Sequence, residues 1–175
     1  VRSTREAAQR VHGRDVTLVI QLTHSGRYSK PGGVPKPIIA HHSQVLDRLH
    51  KLDDDYPLVT DEYLDHLQDV YLDAARLAAQ AGFDGVDIKS CHRYLVSELL
   101  ASFTRDGKYG GPLENRARLL VETLGSIASE VSEVFVTTRM NVYDAIPYPY
   151  GFGVDQSDHT VPDLREPLEV IGWLR

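Results

Sequence analysis

A single cysteine, Cys91, leaves no partner for an internal disulfide and no second thiolate for a zinc-finger framework. Basic residues are outnumbered, with 19 Lys and Arg against 25 Asp and Glu, a net charge of −6. No block of cations interleaves with aromatics, so nucleic acid is not an expected partner. Long apolar runs are missing too. The run at residues 16–22 is far below the roughly 20 residues that span a bilayer, so a membrane partner is not expected either. No signal-peptide pattern opens the chain, and the expected setting is soluble and cytoplasmic. Methionine is almost absent: Met140 stands alone, the first residue is Val1, and Arg175 falls inside a helical pattern. We therefore expect a fragment of a longer chain. The 42% hydrophobic and 25% charged residues that remain match an ordinary globular domain. A chain of 175 residues suffices for a single domain, 1–175, with its own core.

Residues 16–22 form a β-branched run closed by a polar loop at Thr23, which predicts a strand buried on both faces. An irregular stretch follows, broken by Pro31, Gly32, Gly33, Pro35 and Pro37, and passes through His41, His42 and the acidic residues 53–55. A helix is predicted from Thr60 or Asp61, either of which can cap it. Leu64, Leu67, Tyr71, Ala74, Ala75 and Ala78 recur on one face, and Gly82 ends the helix. A second strand at 85–89 leads to a short helix at 94–103, then a turn-rich stretch at 106–111. A helix at 112–131 has Pro112 in its first turn, where a missing N–H costs nothing. A third strand at 134–139, a Tyr-, Pro- and Gly-rich loop at 141–162 and a last helix from Asp163 complete the chain.

Strand, long loop, helix and short return, three times over, is the rhythm of a parallel sheet with covering helices. The long connections leave the C-terminal strand ends, where barrels place their chemistry. No Gly-rich phosphate loop follows any strand, which argues against a small doubly wound sheet. A complete (β/α)8 barrel takes about 250 residues. The expected fold is therefore α/β of the TIM-barrel type, with only the central strands and helices present in this chain. Such a partial barrel leaves strand edges unpaired and invites self-association, so a homo-oligomer is an expected partner.

The first strand delivers Gln21, Thr23, His24 and Arg27 to that end, the second Lys89, Cys91, His92 and Tyr94, and the third Arg139, Asn141 and Tyr143. Polar residues end strands in every protein, yet three donor-rich ends together suit an electron-rich heterocycle or developing negative charge. Cys91 has the cationic neighbours that lower a thiol pKa, but it reads first as a lining residue. His41 and His42 lack matched carboxylate spacing and are expected to be solvent-exposed. Residues 53–55 lack the alternation of a calcium loop and read as solvated surface. No metal is expected.

Gln21-Leu22-Thr23-His24-Ser25-Gly26-Arg27 resembles the third-strand motif of the old yellow enzyme family of FMN-dependent oxidoreductases. So does Ala81-Gly82-Phe83-Asp84-Gly85-Val86-Asp87-Ile88-Lys89 running into Cys91-His92-Arg93-Tyr94-Leu95. The clearest match is Tyr109-Gly110-Gly111-Pro112-Leu113-Glu114-Asn115-Arg116-Ala117-Arg118. Order and spacing agree over roughly residues 16–143. The resemblance implies a TIM barrel with FMN at its C-terminal mouth, NADH or NADPH as electron donor and a small-molecule substrate. It puts Gln21, His24 and Arg139 on the cofactor, Gln21 at the pyrimidine edge. Arg139 would lie near N1 and the C2 carbonyl, where a cation stabilises the reduced ring. Lys89 and His92 fall on a pair of positions that binds a substrate carbonyl or anion, and Tyr94 on a tyrosine that protonates the substrate carbon. The implied reaction carries hydride from the nicotinamide through FMN to an activated alkene, or runs in reverse as a dehydrogenation.

Two residues depart from the family pattern. Lys89 replaces a residue that is usually histidine, and Arg93 stands where glycine is common. Gly110, Gly111, Glu114, Asn115 and Arg116 read as structural. Two other readings compete. A lysine at a barrel strand end is where Schiff-base aldolases carry their nucleophile, which would make Lys89 the reactive group of a lyase. In the family, loops after the last two strands hold the FMN phosphate, and those strands lie outside this sequence. A truncated barrel acting only as a scaffold is thus the third reading.

Overall fold

A computed structural model describes residues 1–175. Three strands, β1 (Val19–Leu22), β2 (Gly85–Ser90) and β3 (Phe135–Met140), run parallel in the order β1-β2-β3. Side chains alternate across a strand, and here the two faces differ sharply. Ile20, Leu22, Val86, Ile88, Val136 and Met140 point into the core. There they meet α3 (Asp61–Gln80), α4 (Leu95–Leu100) and α5 (Leu113–Glu130). The other face carries Val19, Gln21, Asp87, Lys89, Phe135, Thr137 and Arg139, and the members from β1 and β3 are exposed. A doubly wound sheet would carry helices on both faces. Consecutive strand order with helices on one face is the wall of a barrel, seen over three βα units. The fold is α/β and the sheet is part of a barrel.

The first strand corrects one expectation. It begins at Val19 rather than residue 16, and Val19 and Gln21 are exposed instead of buried. Its β-branched composition suits a wall whose inner face nothing in this chain covers. The lead-in is held by polar contacts: the Leu18 N–H donates to Asp84 Oδ2 at 2.7 Å, and Arg5 pairs with the same carboxylate at 2.6 Å. Arg5 belongs to α1 (Arg2–His12), a helix with no buried residue that the sequence pattern did not reveal.

The long helices follow their patterns. Thr60 Oγ1 accepts from the Tyr63 N–H at 3.2 Å and caps α3, whose Leu64, Leu67, Tyr71, Ala75 and Ala78 are buried. Pro112 has extended ψ of 151° and is the N-cap of α5, one position earlier than expected. A second unforeseen helix, α2 (Gln44–His50), is capped by Ser43 Oγ, which accepts from the Leu46 N–H. The last, α6 (Arg165–Trp173), follows the loop after β3. Arg116 ties these parts together: it donates to the Gly111 and Leu100 carbonyls at 2.7 and 2.6 Å and pairs with Glu166 at 2.5 Å. Its guanidinium also lies 3.8 Å from the Phe103 ring. The largest cavity, about 680 Å³, is an apolar groove at the open edge of β3, lined by Val121, Leu124, Val136, Met140, Ile171 and Trp173 among others. No helix is long and apolar enough to cross a membrane.

Candidate active site

Register brings the predicted residues together. Gln21 sits opposite Asp87, and Lys89 opposite Arg139, all on the uncovered face. Gln21 Nε2 donates to Asp87 Oδ1 at 2.7 Å, which leaves the amide oxygen as its free end. Asp87 was not among the expected residues, although the alternation Asp87-Ile88-Lys89 puts it on the same face as Lys89. Arg139 is exposed at the end of β3.

After β2 the chain passes Cys91, which is 1% exposed, and then takes two consecutive left-handed residues, His92 (φ 62°) and Arg93 (φ 58°). That conformation costs a non-glycine residue roughly 1–2 kcal/mol, which explains the glycine common at the second position. The turn delivers Tyr94 as the N-cap of α4. Lys89 Nζ lies 3.5 Å from the Tyr94 ring centroid, and the Tyr28 ring approaches Tyr94 at 5.5 Å. Lys89 and Tyr94 are therefore in contact, with exposed His92 on the turn between them. Burial pushes the Cys91 thiol up, against the weaker pull of Arg139 and Lys89. Cys91 thus lines the turn as a buried thiol, and the alternative of a cation-lowered pKa does not hold.

His24 is not brought to this group. Its Nδ1 accepts from the Gly26 N–H at 3.1 Å, and its Nε2 meets the Tyr63 hydroxyl of α3 at 2.8 Å. Partial burial lowers its pKa and favours the neutral ring that this bonding requires. A direct bond from His24 to a cofactor would break one of these contacts.

Behind the turn lies a buried charge cluster that sequence reasoning missed. Arg27 is 1% exposed and pairs with Asp47 and, at 2.6 Å, with Glu98 of α4. It also donates to the His41 carbonyl at 2.9 Å, while Asp47 Oδ2 meets His42 Nδ1 at 2.8 Å. His41 is 1% exposed, so the expectation of a solvated pair fails for it: its ring lies parallel to that of Tyr150, and its carbonyl accepts from Arg27. Burial lowers its pKa to about 4 and raises that of Glu98 to about 7. The available signal was an arginine set among small polar residues, Ser25-Gly26-Arg27, at a strand end.

This arrangement offers cations, a phenol and an amide at the end of a parallel sheet. Residues 1–160 match the model of the NADH:flavin oxidoreductase / NADH oxidase family. The chain belongs to that family. It is 32% identical over 149 residues to the putative 12-oxophytodienoate reductase 3 of Oryza sativa subsp. japonica, covering 82% of this chain and 39% of that protein. It is 36% identical over 124 residues to the NADPH dehydrogenase of Halalkalibacterium halodurans, covering 70% and 35%. Among solved structures, old yellow enzyme from Pichia sp. AKU4542 superposes with a TM-score of 0.68 at 27% identity, over 99% of this chain and 45% of that one. The chain thus spans less than two fifths of the length of these two curated relatives. The family is one of oxidoreductases, and membership favours flavin chemistry over a Schiff base on Lys89 or a scaffold role.

Proposed function

We propose that these strand ends hold FMN and that the protein moves hydride between NADH or NADPH and a small-molecule substrate. An activated alkene is the substrate class when the enzyme acts as a reductase. The observation that carries the reading is the placement of Lys89 opposite Arg139 on the uncovered face, with Tyr94 in contact with Lys89. The donor set fits a flavin. Gln21, with its amide nitrogen tied to Asp87, presents a carbonyl oxygen suited to a pyrimidine N–H. Arg139 supplies the cation that favours the reduced, negatively charged ring. His24 stabilises the turn after Gln21 through its bonds to Gly26 and Tyr63.

Bound FMN would supply hydride transfer in both directions. Lys89 and His92 would hold a substrate oxygen and draw electron density from the conjugated carbon, which makes that carbon a hydride acceptor. Tyr94 would give its phenolic proton to the neighbouring carbon, so that the alkene gains one hydride and one proton. The Lys89 ammonium over the Tyr94 ring and the Tyr28 ring beside it restrict where the phenol can point. The test is the visible spectrum of the purified full chain after incubation with FMN. Flavin bands at near-stoichiometric occupancy are expected, and Arg139→Ala should weaken that occupancy or lower the flavin potential. A colourless protein that takes up no FMN overturns the reading.

A further inference from the structure

Eight aspartates of this chain are buried or half-buried. Asp47, Asp61, Asp65, Asp84 and Asp163 each pair with an arginine or a lysine. Asp144 and Asp155 accept backbone N–H groups. Asp87 does neither. Its one hydrogen bond comes from a side-chain amide, Gln21 Nε2 at 2.7 Å, and the Gln21 side chain makes no other. Asp87 lies inside β2, between Val86 and Ile88, whose side chains enter the core. Aspartate is depleted from strands, and a β-branched residue would suit that position better as a strand former. Register sets it opposite Gln21 on one side and Thr137 on the other, all on the uncovered face. The one partner it has there is the amide.

A glutamine amide carries donors on its nitrogen and an acceptor on its oxygen, and it can turn over. A carboxylate only accepts. The contact between β1 and β2 therefore exists in one orientation alone, with the nitrogen toward Asp87 and the oxygen away from it. We propose that Asp87 is a positioning residue that fixes the Gln21 amide with its oxygen outward, and so makes this strand end selective for a ring that offers an N–H between two carbonyls. The inference rests on the flavin reading for the ring that arrives, since the pyrimidine edge of FMN is such an imide. Without Asp87, Gln21 could turn its nitrogen outward as readily, and the site would lose its means of telling an imide N–H from an edge that lacks one. Holding the amide beforehand also removes the cost of ordering it at the moment of binding.

The probes are FMN and its N3-methyl analogue, in which a methyl group replaces the imide hydrogen, titrated into the purified full chain. Melting temperature is recorded on the same samples. The wild type should prefer FMN by about ten-fold, because the analogue leaves the Gln21 oxygen unpaired. Asp87→Ala and Gln21→Ala should each remove most of that preference, and the double variant should lose no more than either alone. Asp87→Glu, again a pure acceptor on a face with room for it, should retain the preference. A preference that survives Asp87→Ala overturns the proposal, as does a variant that weakens both flavins alike. The Gln21 carboxamide NMR resonances, identified by their loss in Gln21→Ala, are followed without ligand. Asp87→Ala should shift them, and resonances that stay in place overturn the proposal as well. A protein that takes up neither flavin, yet whose amide resonances answer to Asp87, sinks the flavin reading and keeps the orienting role of Asp87. A protein that binds both flavins equally well does the reverse.

Discussion

Glu98 and the His41 carbonyl both accept from Nη2 of the buried Arg27, and the titrations of the two residues move stability in opposite directions. Burial raises Glu98 from the ordinary 4.5 to about 7, with Arg27 opposing. The folded protein therefore holds this proton more tightly than the unfolded one. The stability it contributes is complete below pH 4.5 and is lost as pH rises through 7. For His41, burial lowers the pKa from 6.5 to about 4. Its contribution is complete above pH 6.5 and is lost as pH falls through 4. At about 1.4 kcal/mol per pKa unit, each displacement is worth about 3 kcal/mol, over nearly the same window.

The two slopes cancel each other in the wild type between pH 4.5 and 6.5, so its profile there is set by the remaining groups, and the variants are read relative to it. Glu98→Gln keeps an oxygen for the Arg27 and Ala40 N–H groups but no longer titrates. Its stability should rise with pH across the window by up to about 1.4 kcal/mol per pH unit. His41→Gln should fall by a similar amount. Asp47 is held below its usual 3.8, so it acts at lower pH. His24 and His50, both lowered by burial, add the same rising term to all three proteins and drop out of the comparison. The assay is urea unfolding followed by circular dichroism in half-unit pH steps, with the m-value held constant as a check on two-state behaviour. A glutamine variant at position 98 whose profile tracks the wild type would refute the reasoning, as would two variants whose slopes depart from the wild type in the same direction.

Tyr94→Phe should slow alkene reduction by roughly 10²-fold or more while leaving flavin reduction by the nicotinamide intact. Stopped-flow analysis of the two half-reactions decides this, and equal loss in both would assign Tyr94 to packing. Gly26→Ala should cost about 2–4 kcal/mol and roughly 5–10 °C in Tm, because Gly26 has φ of 56° and a Cβ there would lie 2.6 Å from the Leu95 nitrogen. An unchanged melting curve would mean that the β1 loop and α4 separate freely. Arg93→Gly should instead raise stability, by up to about 1 kcal/mol, through relief of the left-handed backbone. A loss of stability on denaturant unfolding would show that the arginine side chain holds the turn.

Local patterns made the long elements readable. The Thr60 cap and the repeat of Leu64, Leu67 and Tyr71 need only neighbours along the chain, and the structure has them as expected. The strand at Gly85 was equally plain, and its glycine is explained by a partner: a Cβ would lie 2.5 Å from the Phe135 ring across the sheet. The two missed helices carry no such signal. α1 buries nothing and is held by Arg5 reaching Asp84, 79 residues away. α2 has seven residues, of which only Leu46 and Asp47 are buried, so its single clue was the capping serine Ser43. The burial of His41 has the same cause: its ring lies against Tyr150, from the loop after β3, and its carbonyl is held by Arg27, which pairs in turn with Glu98. The pairing of Lys89 with Arg139 could be anticipated from strand order, whereas the contact of Lys89 with the Tyr94 ring depends on a left-handed turn at His92 and Arg93 that contains no glycine to announce it.

The three residues that follow Ser25 meet α4 one after another. Gly26 packs against Leu95, and the Leu95 N–H donates to the His24 carbonyl at 3.3 Å. Arg27 pairs with Glu98 inside the helix, and Tyr28 lies against Tyr94 at its cap. None of these contacts needs a ligand, so the motif after β1 acts first as a clamp on the element that carries Tyr94. The division follows from charge. The clamp is closed by a cation with two carboxylates, buried and compensated, and its energy goes into position. One turn away, Lys89 rests on the Tyr94 ring and Arg93 faces Asp144 without a close ion pair. A short helix of six residues cannot hold its own direction. Fixing α4 from the β1 side lets β2 end in a strained turn without losing the position of Tyr94, which the proposed proton transfer requires.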